Sequence, residues 1–169
     1  MISLTKFLKL LRINSNYHNN VYNDISYMKT IFNLNIIFNF KEINDICTKE
    51  KNENENLNLE YQKYKIPVNI DEDSLTNNHF DAYIIKWPKN SSSPPHQHPE
   101  RGCFLKVLDG DIQEQLYNYP FPKLPTEKEN LFQTKNLYYH DISFLQGFQT
   151  HIIKNIGEID AYTLHIYGK

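Results

Sequence analysis

The sequence predicts a mainly β protein, a small β-barrel or two-sheet jelly roll with short helices at its N-terminal end. Three observations predict it. From residue 64 onward the chain is a series of short β-type runs: YKIPVNI, HFDAYIIKWP, GCFLKVL, DIQEQLYNY, NLYYHDI, THIIKN and YTLHIYG. The turn signals SSSPP, LDGD and KNIGE separate them. Upstream of that series only helix-type spacing is found, so helices gather at one end and at least six strands at the other.

In chain order, Leu4, Phe7, Leu8 and Leu11 fall at helical spacing, with Lys6, Lys9 and Arg12 off the stripe. A basic amphipathic start also suits an organelle presequence, but it reads here as a first helix packed on the domain. Residues 21–38 carry a weaker apolar pattern, a second helix. Residues 41–60 are polar and rich in Asn and Glu (KEKNENENLN), and read as a linker or surface loop. Leu108-Asp109-Gly110-Asp111 joins two alternating runs and reads as a hairpin. Residues 1–62 are thus expected to pack on a barrel formed by 63–169, as one domain.

Composition narrows the function. A chain of 169 residues suits a single domain, and 40% apolar with 14% aromatic residues is enough to bury a core. A net charge of −2, with Arg12 and Arg101 the only arginines, argues against nucleic acid as a partner. No apolar run approaches the roughly 20 residues that span a bilayer. Cys47 and Cys103 make no disulfide framework, which fits a reducing, cytoplasmic setting.

Of seven histidines, His96, His98, His151 and His165 lie in the β half beside other reactive types. In extended chain, residues i and i+2 project to the same side, so the His96-Gln97-His98 imidazoles point together. Two such imidazoles want a metal or two polar partners. His151, opening a late strand, is the best third ligand. Three neutral imidazoles leave positions open on Fe(II) for substrate and O2, whereas Zn with three His and water would make a hydrolytic site. His18 and His79 read as surface residues, and His140, after Tyr138-Tyr139, as structural. Cys103 alone reads as a buried core thiol and Tyr167 alone as an ordinary strand aromatic.

Taken together these residues resemble the cysteine dioxygenases, thiol dioxygenases of the cupin superfamily. His96-Gln97-His98 is followed five residues later by Cys103, which begins Cys103-Phe104-Leu105-Lys106, with Gly110 seven residues past the Cys. Gly147 to Asn155 fits a second block, with His151 as third iron ligand. Thr163-Leu164-His165-Ile166-Tyr167 resembles the Ser-x-His-x-Tyr strand, and Trp87, nine residues before His96, stands where that family has its tryptophan. The resemblance implies a cupin-type jelly-roll barrel and a non-haem Fe(II) held by His96, His98 and His151. It also implies a Cys103–Tyr167 thioether, with His165 bonded to the Tyr167 hydroxyl and supported by Thr163. The expected activity is oxidation of L-cysteine to cysteine sulfinic acid with O2, by a monomeric cytoplasmic enzyme that needs neither nucleic acid nor membrane. Another small thiol as substrate, such as a mercapto acid or cysteamine, a Zn- or Ni-loaded cupin, or a degenerate metal-binding cupin are the alternatives.

Two departures stand out. The family's carboxylate-binding Arg aligns with Val68 in Ile66-Pro67-Val68-Asn69, which predicts weakened cysteine binding unless Lys65 or Lys86 substitutes. Lys86 should point away from the barrel interior, by alternation from Trp87. The chain also ends two residues after Tyr167, where the family continues.

Overall fold

The computed structural model describes residues 4, 6, 7, 39–55, 57, 59–66, 80–98, 100, 102–117, 131–145 and 149–168. The expected helix over 21–38 lies outside them, as do Val68, Arg12, Arg101, His18 and His79. Among the described residues, helix α1 (Phe40–Lys49) precedes the strands β1 (Gln62–Ile66), β2 (Phe80–Trp87), β3 (Cys103–Asp109), β4 (Ile112–Tyr117), β5 (Leu131–Leu137), β6 (Ile142–Leu145), β7 (Thr150–Asn155) and β8 (Ala161–Gly168). They form a five-stranded sheet, β1-β2-β8-β3-β6, and a three-stranded sheet, β5-β4-β7. All pairings in both are antiparallel. This is the predicted jelly-roll class.

Alternation along the strands of the larger sheet explains how the layers stack. Phe80, Ala82 and Ile84 of β2 point outward and share a core with Phe104, Leu108, Leu164 and Ile166. Leu4, Phe7 and Ile43 cover that face. Tyr83, Ile85 and Trp87 point inward and meet Ile112, Leu137 and Ile153 of the smaller sheet. Both faces of the larger sheet's central strands β2, β3 and β8 are therefore buried, and these strands read as near-continuous apolar runs. Each large apolar side chain so buried contributes roughly 1.5–3 kcal/mol. Lys86 lies on the outer face as expected, paired with Asp160 at 3.1 Å.

Three local expectations need correction. The stretch expected to be a polar loop from residue 41 begins as α1. The Asn39 side chain caps it by accepting from the Lys41 N–H at 3.0 Å. Glu42 in its first turn and Lys49 in its last suit the helix dipole. Its few apolar residues, Phe40, Ile43, Ile46 and Cys47, sit at one-face spacing among charges, and only Ile43 is fully buried. The run NLYYHDI is no strand either. Leu137 ends β5, residues 138–141 turn with His140 at φ 72°, and Ile142 starts β6. Finally, Leu108–Asp111 is not a hairpin, because β3 pairs with β6 and β8 whereas β4 pairs with β5 and β7. It is the corner where the chain crosses between sheets.

Gly110 makes that corner possible. It has φ 75°, its N–H donates to the Asp109 carboxylate at 2.9 Å, and a Cβ there would stand 2.6 Å from the Ala161 Cβ. Gly110→Ala combines left-handed strain with a backbone clash. It is expected to lower stability by roughly 2–4 kcal/mol, measured by denaturant unfolding.

Candidate metal centre and cavity

The three-histidine cluster is assembled by two pairing devices. Leu116 of β4 lies opposite His151 of β7, which fixes His151 on the inward face of the smaller sheet. The segment after β2 then runs alongside β7: Asn155 N–H donates to Ser91 O, Ser93 N–H to Ile153 O, and His96 and His151 exchange backbone bonds of 3.1 and 3.0 Å. The Ser- and Pro-rich segment therefore serves as an irregular pairing edge, and it brings His96 and His98 to His151.

The His151 Nε2 lies 2.8 Å from the His98 Nε2 and 3.1 Å from the His96 Nε2. One ligand nitrogen from each ring falls within 4.8 Å of the others. Their hydrogen bonds say where the protons are. His96 Nδ1 sits 3.0 Å from the Pro94 carbonyl, and His151 Nδ1 3.0 Å from the Glu114 carboxylate. Neither oxygen can donate, so both Nδ1 atoms carry the proton and both Nε2 atoms present bare lone pairs. Two lone pairs facing each other at 3.1 Å repel unless a cation lies between them. One ion at the roughly 2.0–2.1 Å of a metal–imidazole bond fits the 2.8 and 3.1 Å separations from the His151 Nε2, and the all-imidazole donor set suits Fe, Zn, Cu or Ni.

Burial keeps the His96 and His98 rings neutral. Burial first, and then the neighbouring His151, push His96 down to about 4 and His98 lower still. Protons therefore compete with a metal for these two imidazoles only well below the ordinary histidine range. The sign for folding follows. In the unfolded chain these imidazoles take a proton near 6.5, and in the fold they resist it, so the unfolded state binds more protons in between. The metal-free protein is expected to be most stable above pH ~6.5, losing stability as pH falls towards ~4, measured by denaturant unfolding at a series of pH values.

Beside the cluster, a cavity of about 330 Å³ is lined by His96, His98, His165, Tyr167, Lys63 and Trp87 among others. A hydrogen-bonded chain runs along its wall. The Trp87 indole N–H donates to the Thr163 hydroxyl oxygen at 2.8 Å, and Thr163 lies 2.9 Å from His165 Nε2. The indole N–H takes one lone pair of the Thr163 oxygen, and among the described residues Nε2 is the acceptor in reach of the hydroxyl's own proton, so Thr163 donates to Nε2. That places the ring proton on His165 Nδ1, where it donates to the Tyr167 hydroxyl at 3.3 Å. Burial, and then the neighbouring His151, hold His165 well below its usual value. Cys103 lies directly opposite Tyr167 across the β3–β8 pair, with its sulfur 3.7 Å from the same Nδ1. Burial pushes both the Cys103 thiol and the Tyr167 phenol well up, so both stay protonated near neutrality.

The sequence profile described as Cysteine dioxygenase type I matches residues 18–168. The chain belongs to that family. Among its curated relatives, cysteine dioxygenase type 1 of Danio rerio is 27% identical over 112 residues, 63% of this chain and 52% of that one. The Homo sapiens enzyme is 28% identical over 96 residues, 54% and 46% of the two chains. The chain thus spans about half the length of the curated cysteine dioxygenases it matches. Among solved structures, Lactobacillus farciminis oxalate decarboxylase superposes with a TM-score of 0.52 at 16% identity, over 73% of this chain and 32% of that one. Peruvianin-I from Thevetia peruviana latex gives 0.53 at 14%, over 72% and 69%. These likenesses show the fold, and with the family they place the chain among the cupins.

His96, His98 and His151 form the cluster, Trp87, His165 and Tyr167 line the cavity, and Thr163 and Cys103 reach it through their contacts with His165; Gly147 lies outside the described residues. His140 stays apart from them, at its exposed turn. The sequence reading missed Glu114 and Lys63. Glu114 was detectable, since alternation in Ile112-Gln113-Glu114-Gln115-Leu116 puts an acid on the core face, where only a partner makes it tolerable. Lys63 was passed over for Lys65, which is half exposed and bonded to Asp81 at 3.1 Å. Lys63 instead lines the cavity, its ammonium 4.0 Å from the Tyr83 ring centre and 5.0 Å from that of Tyr167. Burial there lowers its pKa.

Proposed function

We propose that this protein is an Fe(II)-dependent thiol dioxygenase that converts a small carboxylate-bearing thiol, cysteine foremost, to its sulfinic acid. The observation that carries the reading is the pair of bare Nε2 lone pairs at His96 and His151, converging with His98 beside a cavity whose lining includes the Lys63 side chain and the Tyr167 phenol. Bound by these three imidazoles, Fe(II) would supply open positions for a thiolate and O2 and the electron transfer that Zn lacks. The reaction adds both atoms of O2 to sulfur.

The chain's own residues divide the remaining work. Lys63 is placed to pair with the substrate carboxylate, taking the part that the sequence reading could not assign with Val68 in the family position. Its ammonium rests over the rings of Tyr83 and Tyr167, which hold it without neutralising its charge. His165, oriented by Thr163 and Trp87, supplies the proton that Tyr167 accepts. The phenol proton of Tyr167 is then free to point at substrate in the cavity. Ile85, Trp87 and Ile153 form an apolar wall that limits water.

Uptake of O2 by iron-loaded protein with cysteine, 3-mercaptopropionate and cysteamine tests the reading. The expected order places both carboxylates ahead of cysteamine. Stoichiometric Zn from iron-replete cells with no O2 uptake on any thiol overturns it.

The Cys103–Tyr167 pair gives a further expectation. With thiol and phenol flanking one His165 nitrogen, O2 turnover should join the sulfur to the ring carbon beside the hydroxyl. The S–H and C–H hydrogens are lost to O2. Intact-mass measurement after turnover should show a species lighter by two hydrogens, absent in Cys103→Ser. A single unmodified mass would place the pair out of reach.

A further inference from the structure

We propose that Glu114 is a positioning residue that sets the direction of His151 and thereby the metal affinity of the cluster; this rests on reading the cluster as an iron site. Glu114 projects from β4 into the interior, its side chain 1% exposed. Its Oε1 accepts the His151 Nδ1–H at 3.0 Å. Its Oε2 accepts the Ser143 hydroxyl and lies 3.7 Å from the Lys135 ammonium. Ser143 belongs to β6 of the larger sheet, Lys135 to β5 of the smaller, and Glu114 is fastened from both.

The geometry gives Glu114 two effects on His151. It fixes the tautomer, so that Nε2 faces His96 and His98 as a lone pair. Its negative charge makes that nitrogen a stronger donor, as a carboxylate behind a metal-bound imidazole does. His96 has its Nδ1 held by a main-chain carbonyl, which carries no full charge. Among the described residues, Glu114 supplies the buried carboxylate that touches the cluster. A purely structural role is the competing explanation, since Glu114 also joins β4 to β6 across the seam of the barrel.

Cobalt(II) added to metal-free protein separates the two, with affinity read by chelator competition and geometry by the visible spectrum. Glu114→Gln keeps the shape and can still accept from Nδ1, but loses the charge. Glu114→Ala loses both. The expected result is affinity weakened about ten-fold in the first and about a hundred-fold in the second, with an altered cobalt spectrum in Glu114→Ala. Stability of the metal-free variants is followed alongside. A role confined to the seam would lower stability while leaving affinity and spectrum of the folded protein untouched, and that result overturns the proposal. Should Glu114→Ala not fold, Glu114→Gln carries the test alone, because it is isosteric. Wild-type protein that binds neither cobalt nor iron would bring down the iron-site reading and this proposal together. Tight wild-type binding with unchanged variants would bring down this proposal only.

Discussion

Replacing His151 with Ala is expected to abolish bound iron and thiol-dependent O2 uptake together. His151 is the hub of the cluster: its Nε2 is the atom to which both other histidines are closest, at 2.8 and 3.1 Å. Its backbone is also what pairs with His96. Losing an outer partner of a metal ligand already costs roughly 10–100-fold in affinity, so losing the ligand should cost well over a hundred-fold. Ala keeps the main-chain bonds, so the barrel should still form, although Glu114 is left buried with one oxygen unpartnered. That deficit is expected to cost about 1–3 kcal/mol of stability. Metal content by mass spectrometry and O2 uptake on the same sample check both halves. Retained iron in folded His151→Ala would mean that the cluster is not the binding site.

Replacing Lys63 with Met is the second large effect. A charge-assisted bond to a carboxylate is worth roughly 1.5–3 kcal/mol, so KM for cysteine should rise about ten- to a hundred-fold. Cysteamine has no carboxylate and should change by no more than about two-fold, which marks the loss as one of substrate binding. Met is close to Lys in length and carries no charge to bury, so stability should hold. Lys63→Arg should keep most of the affinity for cysteine. Steady-state O2 uptake over a range of each thiol measures the split. Equal losses for cysteine and cysteamine would assign Lys63 to the shape of the cavity instead of to the carboxylate.

The contrast between Lys63 and Val68 shows where the sequence was legible. Motifs on continuous extended chain could be read, because i and i+2 fix a shared side without further information. His96 with His98, and Thr163 with His165 and Tyr167, are of this kind. Their meeting across strands could not be derived from spacing, because Cys103 opposite Tyr167 depends on a register set by β3–β8 pairing. Lys63 escaped because β1 is a short edge strand whose alternation, Tyr64 and Ile66 outward, leaves two lysines facing inward. Only the position of Asp81 shows which one is taken.

The corner at Gly110 was misread for a similar reason. Asp-Gly with a positive φ serves a hairpin and a sheet-to-sheet crossing equally well, and the difference lies in long-range pairing. Likewise α1 hides because its buried face is narrow, with Ile43 fully covered and the rest of the helix charged or half exposed. The interior position of Glu114 was legible from alternation, but its partner His151 was not, since the two are joined through β4–β7 register.

The fate of labelled oxygen decides whether the protein is a thiol dioxygenase. Iron-loaded protein is turned over with cysteine under ¹⁸O₂ and the product is examined by mass spectrometry. The expected product is cysteine sulfinic acid carrying two labelled oxygens, formed in step with O2 consumed. Cystine as the sole product, or a sulfinate whose oxygens come from water, would contradict it.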